Sequence, residues 1–315
     1  MAQPLPEPRL SALSLPPHLR PNLLGIGAAK AGTTSLAEAI ARHPDIFMPP
    51  QKELNCLHYA DLDERLGEYA GYFRDGRDFR IRCDFSVRYL ASPQAPAAAA
   101  RLAPDAKILV VLRNPVDQVQ SHYWHLLRQN FHQPSALRRT PDLFEALERF
   151  PALLRVPALY GKHLSRWFDH FARSAFYVVD YADTVRNLPN VLVGLYRFLE
   201  LPIGDAASDA VAATSAPRRR GVQPRGGVLG WIYPRVYSIA AHGPFQWLKR
   251  AAGVAAADRL KRSLRLRESA EAIFFKPGYP ELDADGRRRL YALFQDDIAA
   301  LARLDLMDVR AWSPQ

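Results

Sequence analysis

Residues 22–42 read NLLGIGAAKAGTTSLAEAIAR, and three segments stand out in this stretch. Leu23, Leu24 and Ile26 form an apolar run. Gly25, Gly27, Ala28, Ala29, Ala31 and Gly32 make a chain of small residues, and a helical pattern follows with Leu36 and Ile40 one turn apart. A strand that feeds a glycine-rich turn into a helix N-terminus is a ready anion site, because the first helical N–H groups have no acceptor within the helix and point outward. A phosphate is the expected anion. The helix is predicted from about Thr33 to Arg42, with Pro44 marking its stop.

Gly27, Gly32 and Thr34 keep the frame of the nucleotide-binding pattern G-x-x-x-x-G-K-[ST], but Thr33 stands where the lysine belongs and Lys30 precedes the second glycine. The loop therefore reads as a P-loop with a displaced lysine. A second apolar run, Ile108 to Leu112, is continuous, as in a strand buried on both faces of a parallel sheet. After it, Asn114 reads as a helix N-cap, Pro115 as the first helical residue and Asp117 as an acid at the helix's positive end. Arg113 is thus placed at the carboxyl end of a central strand, where doubly wound sheets bind their ligands.

The remaining pattern completes the expectation. Phe79, Ile81, Cys83 and Phe85 alternate with Arg80, Arg82 and Asp84, which predicts a strand with one apolar face. Helices are predicted at Ala95–Leu102, Leu159–Phe171 (with Leu164, Trp167, Phe168 and Phe171 on one side), about Asn190–Leu199, and about Ala284–Arg303 with Leu290, Leu293, Phe294, Ile298 and Leu301 in a stripe. Another strand is predicted at Ala175–Asp180. The fold expected is α/β, a three-layer P-loop-type fold with a central, mostly parallel sheet flanked by helices. Residues 1–20 read as a loose N-terminal extension, and 21–315 as a single domain without internal repeats.

A chain of 315 residues with 48% hydrophobic and 23% charged content is ordinary for a folded protein and excludes general disorder. A net charge of +10 calls for an anionic partner: a nucleotide, a nucleic acid, an acidic glycan or a membrane surface. The proline-rich N-terminus has no apolar core of a signal peptide, and no long apolar run predicts a membrane span. Cys56 and Cys83 sit in no metal-ligand spacing and read as free thiols of a reducing compartment, so a cytoplasmic protein is expected. Residues 214–270 change in character, with Arg218, Arg219, Arg220 and Gly221, then Trp231, Tyr233, Tyr237, Phe245 and Trp247, then RLKRSLRLR at 259–267. Amphipathic packing is one reading of this segment; a lid, or a membrane-surface contact through 228–267, is the other.

Gly27, Lys30, Gly32, Thr33, Thr34 and Leu36 resemble the loop G-x-x-K-x-G-T-[TS]-x-L of the sulfotransferases that use 3′-phosphoadenylyl sulfate (PAPS). Arg113, Asn114, Pro115, Ser121 and Tyr123 resemble their R-[ND]-P-x-x-[RQ]-x-x-S-x-Y signature. Lys52-Glu53 is similar to the K-E-x-H-F-F segment of the heparan-sulfate and bacterial carbohydrate type, although Asn55 and Cys56 depart from it. DFSVRYL is similar to E-K-[ST]-P-x-Y-[LF], with Ser86 and Tyr89 in register and Phe85 where a lysine is frequent. The resemblance runs from about Pro21 to Trp312, and the closing segment is similar to that of many bacterial members.

This resemblance implies transfer of the sulfuryl group of PAPS to a hydroxyl or amine of a carbohydrate or glycolipid, leaving adenosine 3′,5′-bisphosphate, with no metal. It assigns Lys30, Ala31, Gly32, Thr33, Thr34 and Ser35 to the 5′-phosphosulfate, Arg113 and Ser121 to the 3′-phosphate, and Arg220 with Gly221 to a turn closing over the cofactor. Lys30 then stabilises the leaving group, and Glu53 is the general base. Two other classes stay open. One is a kinase or NTPase using ATP with Mg²⁺, for which Asp180, after an apolar strand, supplies a Walker B aspartate. The other is a basic module for membranes or nucleic acid; nucleic acid is not expected, because the basic clusters lie in no recognisable recognition fold.

Overall fold

The computed structural model describes residues 15–129, 137, 140, 142–204, 222–224 (backbone) and 275–313. Arg220, Gly221 and the segment 228–267 lie outside the described residues. The chain divides into two compact units, one holding the described residues of 1–118, 156–218 and 287–315, the other those of 119–155 and 219–286.

The first unit is built on a five-stranded sheet: β1 (Leu23–Gly27), β2 (Ile46–Phe47), β3 (Ile81–Phe85), β4 (Lys107–Leu112) and β5 (Phe176–Asp180), in the order β2-β3-β1-β4-β5. Every neighbouring pair is parallel, with Leu23 opposite Cys83 on one side and Lys107 on the other. All of β1 and β4 is buried except the half-buried Lys107. Continuous apolar runs are what a parallel sheet covered on both faces requires, and the α/β expectation holds. Strand β3 departs from its predicted pattern. It starts at Ile81, and Asp84, which alternation puts on a polar face, is completely buried. The second face of β3 is covered as well, by the buried Tyr69, Ser86 and Tyr89, so the carboxylate finds hydroxyl partners in place of water.

Helices α1 (Thr33–Ile40), α2 (Leu66–Gly71) and α3 (Ala95–Leu102) precede β4, and α4 (Pro115–Gln129) follows it. The Asn114 cap is present, with the Val116 N–H donating to its Oδ1 at 3.0 Å. In the second unit, the helices α5 (Leu143–Arg149) and α6 (Pro151–Leu154) accompany α4 from Val119 onward, and β6 (Val222–Pro224) pairs antiparallel with β7 (Phe275–Pro277). There Tyr123 donates to the Thr140 carbonyl at 3.2 Å, Gln120 Nε2 to the Pro280 carbonyl at 2.5 Å, and the Trp124 and Tyr279 rings lie parallel at 6.5 Å.

Back in the first unit, α7 (Tyr160–Phe168) buries Leu164 and Trp167, with Phe171 buried just beyond its end. After β5 come two helices, α8 (Tyr181–Arg186) and α9 (Leu188–Phe198), where one was predicted. Asn187 separates them in a non-helical conformation and caps α9 by accepting the Asn190 N–H at 3.3 Å. The last helix, α10 (Ala284–Arg303), buries Leu290, Phe294, Ile298 and Leu301 of its predicted stripe and leaves Leu293 half-buried at the edge. Its Asp297 accepts the Gly161 and Lys162 N–H groups at 2.9 and 2.8 Å, so α10 supplies the cap of α7. Gly161 has a steric reason: a Cβ there would meet the Asp297 carbonyl oxygen at 2.6 Å. At the other end, Leu15 is buried and Arg20 donates to the Leu102 carbonyl at 3.2 Å, so packing begins before residue 21.

Candidate functional site

From β1 the chain runs to β2 and β3 on one side and then crosses to β4 on the other, so the strand order reverses between β1 and β4. Ligands of open parallel sheets bind outside the carboxyl ends at such a point. The stretch from Gly27 to Gly32 and the side chain of Arg113 both lie there.

The loop is pinned at its start by the Ala28 N–H, which donates to the Val111 carbonyl at 2.7 Å. Lys30 and Gly32 both take left-handed backbone conformations, at φ 64° and 72°. Gly32 caps α1, and the first helical bond is from the Leu36 N–H to the Gly32 carbonyl at 3.3 Å. The N–H groups of Thr33, Thr34 and Ser35 therefore have no carbonyl one turn back. Gly32, Thr34 and Ser35 are exposed and Lys30 is half-buried, whereas Ala31 and Thr33 are buried. Thr34 and Ser35 can offer hydroxyls as well as amides and Thr33 its backbone N–H, whereas the N–H of Ala31, predicted to meet the phosphosulfate, is already donated to the Ala28 carbonyl at 3.3 Å.

Two side chains hold the loop carbonyls. Gln118 Nε2 donates to the Ala29 carbonyl and Arg113 Nη1 to the Lys30 carbonyl, each at 3.1 Å. With these oxygens engaged, the helix end keeps its positive character toward the open side. The Arg113 guanidinium rests on the Tyr181 ring at 4.8 Å, and the same ring would lie 2.8 Å from a Cβ on Gly32. Arg113, Tyr181 and Gly32 thus form one packed layer at the end of β4, β5 and the loop. Gln118 is fully buried, and its Oε1 has no hydrogen-bond partner among the described residues.

Glu53 stands on the loop between β2 and β3. Lys52 Nζ lies 3.5 Å from Glu53 Oε1, with the two side chains only 19% and 24% exposed. The same ammonium sits 4.9 Å above the Phe85 ring, and that ring fills the space where Gly25 would carry a Cβ, 2.5 Å away. Gly25 and Phe85 are also register partners in the sheet. This stack sets Lys52-Glu53 against β1 just upstream of the phosphate loop, and gives Phe85 a defined job at the position where the resemblance has a lysine.

Beneath Glu53 lies a buried carboxylate. Asp84 accepts hydroxyl hydrogens from Ser86 at 3.0 Å, Tyr89 at 2.7 Å and Tyr69 at 2.8 Å. Ser86 Oγ accepts the Asn55 N–H at 3.0 Å and the Tyr89 oxygen accepts the Leu57 N–H at 3.3 Å. Burial pushes the Asp84 carboxyl up to about 6 against the pull of its three hydroxyl donors, and the charge of Glu53 adds to the rise. Burial also pushes the Cys56 thiol up to about 12 and raises Cys83, so neither is a nucleophile.

Asp180 is engaged on both oxygens. The Ala182 N–H donates to Oδ1 at 2.7 Å, capping α8, and the Trp312 indole donates to Oδ2 at 3.0 Å. It serves as a cap and a tie, which removes the handhold for a Walker B reading. Ser121 is buried on α4 within the second unit, while Arg113 belongs to the first. Three residues around the site escape sequence reasoning. Gln118 was visible as the [RQ] position of the Arg113 signature; Asp84 stood on the polar face of its predicted strand, and Tyr181 has no sequence signal.

A phosphate loop with outward amides and a strand-end arginine at the reversal of a parallel sheet define an α/β protein of the P-loop class. Residues 20–217 match the family described as "Sulfotransferase domain", and the chain belongs to that family. It is similar to bifunctional heparan sulfate N-deacetylase/N-sulfotransferase 1 of Caenorhabditis elegans, 26% identical over 212 residues covering 63% of this chain and 25% of that protein. Human heparan sulfate glucosamine 3-O-sulfotransferase 5 is 27% identical over 192 residues, covering 58% and 54%. The chain thus spans between a quarter and about half of the length of these relatives. The crystal structure of a sulfotransferase from Alicyclobacillus acidocaldarius superposes with a TM-score of 0.61 at 25% identity, over 93% of this chain and 98% of that one.

Proposed function

We propose that this protein transfers the sulfuryl group of PAPS to a hydroxyl or amine of a carbohydrate or glycolipid. The observation that carries the reading is the clamped loop: Arg113 and Gln118 hold the carbonyls of Lys30 and Ala29 and leave the first-turn amides to an anion. The residues present fit the nucleotide. Gly32 to Ser35 and Lys30 suit its anionic 5′ end, and the guanidinium N–H groups of Arg113 that do not bond the loop suit its 3′-phosphate. When bound, the nucleotide supplies the sulfuryl group and a leaving phosphate on which negative charge grows. The preorganised amides and Lys30 hold that charge without rearrangement. Glu53 accepts the proton of the attacking hydroxyl or amine, a contribution of roughly 10²–10⁴-fold. A carbohydrate acceptor is supported by the names of both relatives. The cytoplasm is proposed as its compartment on the two unbridged, buried thiols Cys56 and Cys83.

Calorimetric titration with adenosine 3′,5′-bisphosphate, beside ATP with Mg²⁺, tests the assignment on wild type and Arg113→Ala. The bisphosphate is expected to bind more tightly, without metal, and to lose roughly 10- to 100-fold in the variant, the range for a hydrogen bond to a charged group. Tighter binding of ATP with Mg²⁺, unaffected by Arg113→Ala, overturns it. Glu53→Gln is expected to keep bisphosphate binding and lose turnover; undiminished turnover removes Glu53 from the mechanism.

A further inference from the structure

We propose that Asp84 is a positioning residue for proton transfer, its buried carboxylate holding the Glu53 loop in place through Ser86 and Tyr89. The inference rests on the sulfotransferase reading for the role of Glu53 and on the structure for everything else.

Each arm has the same construction. A hydroxyl has a single hydrogen and accepts on its lone pairs. With the Ser86 hydrogen committed to Asp84 Oδ1, its lone pairs face the Asn55 N–H; with the Tyr89 hydrogen committed to Oδ2, its lone pairs face the Leu57 N–H. The carboxylate thus fixes which way both hydroxyls point, and they fix two amides placed two and four residues after Glu53. Polarisation along such donor chains strengthens each bond. Asn55 sits at a left-handed φ of 58°, which asparagine adopts more readily than other side-chain-bearing residues, and its N–H is aimed from there at the Ser86 oxygen. Tyr69, from α2, donates to the same Oδ2 as Tyr89.

Stability alone gives no reason for this acid. The strands flanking β3 and β1 in the sheet carry no buried carboxylate of their own at an equivalent depth: β1 is apolar throughout, and the buried part of β4 is Ile108–Leu112. A fully buried carboxylate is costly to desolvate, as the upward push on its titration shows. Its three acceptor bonds offset that cost, and two of them lead directly to the backbone of the loop that carries Glu53.

The test uses Ser86→Ala and Tyr89→Phe, which cut one arm each, with Asp84→Asn beside Asp84→Ala as a conservative pair. Three quantities are measured: amide hydrogen exchange at Asn55 and Leu57, calorimetric affinity for adenosine 3′,5′-bisphosphate, and release of that product from PAPS with an unsulfated glucosamine-containing polysaccharide as acceptor. The expected result is exchange at least tenfold faster at Asn55 in Ser86→Ala and at Leu57 in Tyr89→Phe, affinity within twofold of wild type, and kcat lowered roughly tenfold or more. Asp84→Asn should retain more of kcat than Asp84→Ala. Adding Ser86→Ala to Glu53→Gln should cost nothing further, because the arm acts through Glu53. Equal losses of kcat in both backgrounds overturn the positioning role. Unchanged exchange overturns it whether or not the wild type turns over, whereas a wild type that fails to bind the bisphosphate overturns the functional reading instead.

Discussion

Replacing Gly32 by alanine perturbs the loop in two separable ways. At φ 72° the residue is left-handed, and a side chain there costs about 1–2 kcal/mol. The new Cβ also arrives 2.8 Å from Tyr181 Cε2 and 3.0 Å from Cδ2, so the ring must move. That ring carries the Arg113 guanidinium at 4.8 Å, a contact worth about 0.5–1 kcal/mol at a partly exposed site. The two effects together predict a loss of about 2–3 kcal/mol on denaturant unfolding and weaker bisphosphate binding, because Arg113 loses its platform. In a Tyr181→Ala background the collision disappears and only the dihedral cost of about 1–2 kcal/mol stays. A double-mutant cycle on urea midpoints, with calorimetry on the same proteins, separates the two. If Gly32→Ala is no less damaging with Tyr181 removed, the ring is not the obstacle and the packed layer is wrongly described. If Gly32→Ala costs under about 0.5 kcal/mol, the left-handed conformation is not required.

Asp84→Asn should change how stability depends on pH. The native carboxyl titrates at about 6 against an ordinary 3.8, so between these values the folded state binds the proton more tightly. Its contribution is greatest at low pH and is lost as pH rises through about 6, amounting to about 3 kcal/mol over the window. Wild-type stability minus that of the variant, followed by urea unfolding from pH 4 to 7.5, should fall across this range, and a flat difference refutes the buried charge. Tyr69, Tyr89, Ser86 and Glu53 face the group and remain in the variant, as do Cys56 and Cys83. Gln118→Leu removes the bond to the Ala29 carbonyl and should weaken bisphosphate binding by up to about tenfold, from about 0.5–1.5 kcal/mol per bond; unaltered calorimetry would show that the loop holds its shape without it. Arg113→Lys keeps the charge but cannot reach the Lys30 carbonyl and a phosphate together with a planar fork, so it should recover less than half of the binding free energy lost in Arg113→Ala, and full recovery counts against the two-sided role.

What the sequence shows well is local. The Asn114-Pro115 start of α4, the borders of α3 and the displaced lysine depend on neighbours a few residues away, and the structure returns each of them. The predicted helix from about Asn190 returns as α9, which starts two residues earlier after its Asn187 cap, whereas α8 went unpredicted because it is short and buries none of its residues, so it carries no apolar stripe. Asp84 was not legible, because alternation assigns a face and says nothing about whether that face is covered. The bonds from Gln118 to Ala29 and from Arg113 to Lys30 join residues 89 and 83 positions apart. Only the parallel crossover from β1 to β4 brings them together.

That crossover also explains how a displaced lysine can work. Moving the lysine ahead of the second glycine puts a side chain on a left-handed position, φ 64° at Lys30, two residues before Gly32 at 72°. Left-handed residues alternating with right-handed ones turn successive N–H groups toward one side and make a concave anion site. The arrangement costs strain at Lys30 that glycine would not pay, and the strain persists only where the surroundings hold it. The hold is Arg113, which bonds the Lys30 carbonyl while its own plane is fixed on Tyr181. A motif read as two separate phosphate contacts is therefore one mechanical unit, in which the strand-end arginine shapes the loop proposed to receive the 5′ end of the nucleotide.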